Sequence, residues 1–127
     1  MPHFADRAHS AAAPEDVWKL LYDPTRFPEW WAGVGTVERA DPGSYTMYPD
    51  GYPDFPMPQT LTTAPGCVAI SCQVSDLRFE WRLRPDGTGT EITVDVELPS
   101  REAHRLPTQR DLIHRSMLAL AALAATP

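Results

Sequence analysis

The chain has 127 residues, enough for one domain with one core, and its 43% hydrophobic and 22% charged content is that of an ordinary folded protein. A net charge of −6 works against nucleic acid and anionic membrane surfaces, since both select a cationic face. The first residues lack a basic stretch followed by an apolar one, and no apolar run approaches the ~18 residues of a membrane span, so a cytoplasmic protein without membrane insertion is expected.

In chain order, His3 to Ala11 alternates loosely, with Phe4, Asp6, Ala8 and Ser10 on one side, and reads as a first strand. Pro14-Glu15-Asp16 opens a helix, because proline is tolerated in a first turn and acids suit the positive end of the helix dipole. Val17, Leu20 and Leu21 give it an apolar stripe as far as Tyr22. Asp23-Pro24-Thr25 breaks it, Arg26 to Trp31 reads as a second short helical turn, and Gly33 and Gly35 mark the exit. Val34 to Ala40 and Ser44 to Tyr48 form a hairpin around Asp41-Pro42-Gly43. Prolines at 49, 53, 56 and 58 remove ladder donors, so Pro49 to Pro58 is expected as a loop, one that carries Tyr52, Phe55 and Met57.

Gln59 to Thr63 pairs with Cys67 to Val74, Ser75-Asp76 turns into Leu77 to Leu83, and Pro85 to Gly89 turns into Thr90 to Leu98. Phe79, Trp81 and Leu83 share a face with Ile92, Val94, Val96 and Leu98. Arg78, Glu80, Arg82 and Arg84 share the other face with Glu91, Thr93, Asp95 and Glu97, a charge lattice that reads as the solvated outside of the sheet. Cys67 and Cys72 lie five residues apart on one strand and on opposite faces, about 16 Å apart at ~3.3 Å per residue, so they cannot bridge each other.

Ser100 to Ala125 closes the chain as one long helix rich in strong helix formers. Leu106, Ile113, Met117, Leu120 and Ala124 recur at helical spacing beside a second stripe of Leu112, Ser116, Ala119 and Leu123. A broadly apolar helix that follows a run of strands buries its face on their sheet. The fold class is therefore α+β: a curved antiparallel sheet of about seven strands around a long C-terminal helix, with two short helices between strands 1 and 2.

This pattern resembles the START-like (SRPBCC) superfamily, the helix-grip fold, and within it the single-domain polyketide cyclase/dehydrase-like proteins. The residues that carry the likeness are Ala13-Pro14-Glu15-Asp16-Val17-Trp18 leading into Leu20-Leu21-Tyr22-Asp23-Pro24, then Phe27-Pro28-Glu29-Trp30-Trp31 and Gly33 to Glu38. The Phe79-to-Leu83 strand, the turn at Gly87 to Glu91 and the closing helix complete it. The resemblance implies one START-like domain over 1–127 and an internal cavity for a hydrophobic, aromatic or polyketide-type ligand, with a place in antibiotic biosynthesis. The superfamily hosts many functions, so the fold alone does not name a reaction.

Candidate ligand contacts follow from the expected architecture. Trp30 and Trp31 stand where the short helices meet the cavity mouth, or one of them simply plugs the core, and Phe79 and Trp81 lie on the concave face, Trp81 as cavity wall or core. Tyr45 and Tyr48, at odd separation, face opposite ways, so at most one reaches the interior; Tyr48 is taken as that one. Tyr52 and Phe55 either cap a ligand or pack on the sheet. Cys72 shares parity with Val68, Ile70 and Val74 and points inward as a small hydrophobe. Ile113, Ser116, Met117 and Leu120 face in from the closing helix.

Arg110 and His114 share a helical side. On a cavity-facing side His114 would serve as general acid or base and Arg110 would stabilise an enolate; on the wet face, beside Asp111 and Arg115, neither acts. There is no phosphate loop, GxSxG, HExxH or CxxC, and none of His3, His9, His104 and His114 has a partner at ligand spacing, so neither metal nor cofactor is expected. Three functions stay open: a cyclase/dehydrase that works mainly by orienting its substrate, a non-catalytic carrier of a lipid, quinone or similar molecule, and a protein-interaction module. A monomer or homodimer serves any of the three.

Overall fold

The computed structural model describes residues 2–126. Its strands are β1 (His3–Ser10), β2 (Val34–Arg39), β3 (Ser44–Pro49), β4 (Met57–Ala64), β5 (Cys67–Cys72), β6 (Arg78–Asp86) and β7 (Gly89–Glu97), and its α-helices are α1 (Pro14–Leu21) and α2 (Leu106–Ala124). Two 3-10 segments, Pro24–Glu29 and Ser100–Arg105, precede β2 and α2. The strands form one curved antiparallel sheet in the order β1-β7-β6-β5-β4-β3-β2, so the first strand returns to pair with the last. This is the helix-grip arrangement.

Period-2 alternation fixes the register. Phe79, Trp81 and Leu83 stand opposite Val96, Val94 and Ile92, while Arg78 and Arg84 stand opposite Glu97 and Glu91 on the outer face. There Arg84 donates to Glu91 at 2.8 Å, and Arg82 bridges Glu80 and Asp95, two acids that are themselves directly opposed. Exposed pairs of this kind contribute about 0–1 kcal/mol each, so they serve register more than stability.

On the concave face α2 packs over β1 and against α1, and α1 reaches β6 and β7. Val17, Leu21, Trp81, Ile92, Val94, Ile113, Met117 and Leu120 are fully buried there. Buried hydroxyls stitch the layers: Ser10 donates to the Ala121 carbonyl at 2.8 Å and Thr90 to the Ala12 carbonyl at 2.8 Å. Gly89, where β7 starts, is required by packing, since a Cβ there would lie 2.2 Å from the Ser10 carbonyl oxygen.

Four expectations need correction. The closing helix is α-helical only from Leu106, because Pro107 has no N–H to return to the carbonyl four residues earlier, and Ser100–Arg105 winds as a 3-10 segment instead. The proline-rich loop is shorter than expected. Pro49 ends β3 opposite Val34, and Pro58 lies in β4 opposite Thr46, with its carbonyl accepting from the Gln73 N–H at 3.0 Å. The β6–β7 turn is a two-residue loop, Gly87-Thr88, between paired Asp86 and Gly89. Finally, β5 stops at Cys72, so Val74 falls in a turn and is 50% exposed rather than continuing the inward row.

Candidate functional site

One half of the concave face is not filled by the helices. There a pocket of about 190 Å³ lies between β3, β4 and β5 and the N-terminal half of α2. Its floor is a row across three strands: Tyr45 on β3 pairs with Gln59 on β4, and Gln59 pairs with Cys72 on β5. Each of the three is about 4% exposed. Met47 and Met57, also a cross-strand pair, form the next row towards the open end. On the helix side Arg105, Gln109 and Leu112 line the pocket, at positions i, i+4 and i+7 of one face. Trp31, Ala32, Gly33 and Val34 make the third wall, and Leu77 and Phe79 the fourth.

Two anchors hold these walls. Ser116 donates to the Leu112 carbonyl at 2.7 Å and accepts the Ala32 N–H at 2.8 Å, which ties the Trp31–Val34 wall to α2. Gly33 carries φ +92, a backbone region that glycine enters without strain. At the other side the β5–β6 turn closes with the Cys72 N–H on the Leu77 carbonyl at 2.8 Å and Asp76 at φ +57, and Arg101 from the 3-10 segment ion-pairs with Asp76. That turn holds Ser75 in the pocket wall.

Among the described residues two buried side-chain polar atoms have no hydrogen-bond partner, Trp81 Nε1 and Ser75 Oγ. The Trp81 ring stands edge-on to Trp30 and Trp31, with centroids 5.2 and 5.3 Å away, inside an aromatic cluster that also takes in Phe27, Phe79 and Tyr45. Ser75 belongs to the pocket wall. Of the other polar groups there, Gln59 Nε2 donates to the Met57 carbonyl at 3.2 Å, and burial, with Cys72 beside it, pushes the Tyr45 phenol well above the usual tyrosine range. Tyr45 is therefore a neutral hydrogen-bonding group at any physiological pH. Arg105 is the one charged side chain of the lining; it is 40% exposed and lies 3.7 Å from Glu102.

Of the expected site residues, the structure brings Trp31, Cys72 and Phe79 to this pocket. Trp30, Trp81, Ile113, Met117 and Leu120 are core instead, Trp30 donating its indole N–H to the Leu20 carbonyl at 2.9 Å. Ser116 acts one layer behind the wall. Tyr48 points to the outer face, its hydroxyl 3.4 Å from Glu38, and Tyr45 is the tyrosine that reaches the interior. Tyr52 and Phe55 are 67% and 52% exposed on the loop between β3 and β4, off the pocket.

Arg110 and His114 lie elsewhere as well. At about 100° per residue they stand about 130° and about 170° from the Arg105/Gln109/Leu112 stripe, and so face the β1 edge. There the Arg110 guanidinium sits 5.8 Å from the Phe4 ring centre and His114 Nδ1 lies 3.0 Å from Asp6 Oδ2. Neither borders the pocket.

Sequence reasoning missed Gln59, Ser75, Arg105 and Gln109, and took the wrong tyrosine. A signal for Tyr45 exists: Thr46 and Tyr48 alternate with Tyr45 and Met47, and the apolar pair marks the inward parity. Among the described residues no group of three or more His, Cys, Asp or Glu is placed to hold a metal, and no helix is long and apolar enough to cross a membrane.

In fold, the chain is similar to XoxI from Bacillus cereus, with a TM-score of 0.79 and 12% identity over 97% of this chain and 95% of that one. It is similar to an AHSA1-like protein from Aeromonas hydrophila, with a TM-score of 0.71 and 15% identity over 98% and 96% of the two chains. It is also similar to the di-domain ARO/CYC StfQ of the steffimycin biosynthetic pathway, with a TM-score of 0.73 and 15% identity over 96% of this chain and 50% of that one. No curated protein matches the sequence. The family model described as polyketide cyclase/dehydrase and lipid transport matches residues 1–125, and the chain belongs to that family as a ligand-binding protein of the START-like (SRPBCC) superfamily.

Proposed function

We propose that this protein binds one small, largely apolar molecule of one or two rings in the pocket above the Tyr45–Gln59–Cys72 row, and that it binds this molecule without transforming it. The observation that carries this reading is the lining itself: Trp31, Phe79, Met47, Met57, Leu77 and Leu112 supply the apolar walls, and the buried polar groups are neutral. Size bounds the ligand. A dry apolar cavity of about 150 Å³ takes one benzene ring, and drug-sized ligands occupy roughly 300–1,000 Å³, so about 190 Å³ suits a compact aromatic or a short acyl chain better than an extended polycycle. Proton transfer in an aldol closure needs a group that takes a proton near neutral pH. The described lining includes no carboxylate and no imidazole, and Tyr45 stays a phenol.

A second reading has one point in its favour, the structural similarity to the aromatase/cyclase StfQ. On it, the pocket orients a carbonyl substrate and the Tyr45 hydroxyl polarises the carbonyl oxygen, with orientation supplying most of the rate.

The test is a thermal-shift titration against two-ring aromatics, quinones and fatty acids. A ligand at about 100 times its dissociation constant adds ~2.7 kcal/mol to stability, a shift easily read. Leu112→Trp, which fills the pocket from the helix side, is expected to abolish the shift. No shift with any compound, or an undiminished shift in Leu112→Trp, overturns the binding reading. Turnover of a bound poly-β-ketone that is lost in Tyr45→Phe establishes the second reading.

A further inference from the structure

We infer that the ligand of this pocket is a small aromatic acid with two points of polar contact: an anionic group read by Arg105 and a separate uncharged oxygen read by the buried set of Ser75, Gln59 and Tyr45. This inference rests on the binding reading above and deepens it.

The pocket's polar groups divide into two kinds. Ser75, Gln59 and Tyr45 are each about 4% exposed and neutral. Ser75 Oγ is closed off from solvent and has no hydrogen-bond partner among the described residues, a state that costs a buried hydroxyl stability. Ser75 itself lines the pocket, so a rotation about χ1 brings this hydroxyl to a ligand oxygen there, a partner that a purely hydrocarbon ligand does not offer. Arg105 differs in charge and in exposure, with its side chain 40% exposed at the start of α2 and Gln109 one turn further along the same face. Among the described residues its one carboxylate neighbour is Glu102, at 3.7 Å from a single guanidinium nitrogen, which leaves further N–H groups of the fork for a second anion. Trp31 and Phe79, edge-on to each other at 5.0 Å, give the pocket two aromatic walls at a right angle against which a ligand ring packs.

The experiment is a four-probe binding square. It uses 6-hydroxy-2-naphthoic acid, 2-naphthoic acid, 2-naphthol and naphthalene, titrated against the intact protein and read by tryptophan fluorescence and thermal shift. The hydroxy acid is expected to bind most tightly and naphthalene most weakly, with each polar group adding about tenfold. Arg105→Gln is expected to weaken the two acids about tenfold and leave 2-naphthol and naphthalene unchanged. Glu102→Gln, which removes the competing carboxylate, is expected to tighten the two acids. Ser75→Ala is expected to erase the advantage of the hydroxylated members alone.

Four equal affinities overturn the inference and leave pocket binding standing. An acid preference that survives Arg105→Gln overturns the anionic contact. A hydroxyl that adds nothing beyond the carboxylate overturns the second contact. Absence of binding by all four probes, together with no shift from any quinone or fatty acid, overturns the binding reading itself.

Discussion

The two halves of the concave face belong to one continuous sheet and differ in what stands on them. Over β1, β7 and β6 the helices are seated: Trp81, Ile92, Val94, Ile113, Met117 and Leu120 are fully buried, and the layer between sheet and helix is solid. Over β3, β4 and β5 the same face carries Tyr45, Met47, Met57, Gln59 and Cys72, with only the first two turns of α2 overhead, and about 190 Å³ stays open. Position across the sheet, more than hydrophobicity, separates core from site. A long helix grips one side, and the other side becomes a pocket because none of the described residues is placed to fill it.

The comparison breaks first, and by the largest amount, at Trp81. Trp81→Ala removes a fully buried side chain from the filled half and is expected to cost about 3–5 kcal/mol in chemical denaturation. Met57→Ala, in the open half, is expected to cost less than about 2 kcal/mol, because its side chain already borders free volume. Equal costs would mean that the two halves are packed alike.

Backbone approach separates the halves next. Gly89→Ala drives a Cβ to 2.2 Å from the Ser10 carbonyl in the β1–β7 ladder and is expected to destabilise by about 1–3 kcal/mol. Gly33→Ala meets nothing closer than Leu112 at 3.7 Å, so only its left-handed φ costs, about 1 kcal/mol. Thermal denaturation of the two variants orders them.

Alkaline pH probes the floor of the open half. The Tyr45 phenol is pushed up by burial, so between the ordinary tyrosine value of about 10 and its raised folded value the unfolded chain releases a proton that the folded chain keeps. The folded state then binds more protons than the unfolded one. Stability linked to Tyr45 is fully present below pH about 10 and falls by about 1.4 kcal/mol per pH unit above it. Tyr45→Phe is expected to flatten this alkaline slope, measured by denaturation from pH 9 to about 12.

How much of this was legible in the sequence follows from what periodicity encodes. The pairing of β6 with β7, the aromatic inner face at Phe79 and Trp81 and the outer charge lattice could be read because period 2 assigns each side chain a face. The existence of α2 could be read from its composition. Its rotational phase could not: the helix is Ala- and Leu-rich on several sides, Leu118 is 55% exposed, and no sharp stripe separates the His114 side from the Leu112 side. Its lateral position over the sheet is a tertiary fact, so the location of the pocket was hidden. Ser75 was hidden for a different reason. It lies in a turn closed by Asp76 at φ +57 and by the ion pair to Arg101, contacts about 25 residues apart in the chain that no local pattern announces.

The finest contrast lies between two buried serines. Ser116 is 0% exposed and saturated: it donates to the Leu112 carbonyl and accepts the Ala32 N–H. Ser116→Ala strands that N–H beneath the pocket wall and is expected to cost about 1–2 kcal/mol. Ser75 is 4% exposed and its hydroxyl meets no partner among the described residues, so the folded state already carries its desolvation cost. Ser75→Ala removes that cost along with the hydroxyl and is expected to leave stability unchanged or raise it by up to about 1 kcal/mol in the ligand-free protein. Equilibrium denaturation of the two alanine variants, side by side, reads the sign. A Ser75→Ala variant as destabilised as Ser116→Ala would place the hydroxyl in the service of the fold. A neutral or stabilised one leaves it as a group available to a ligand in the open half of this face.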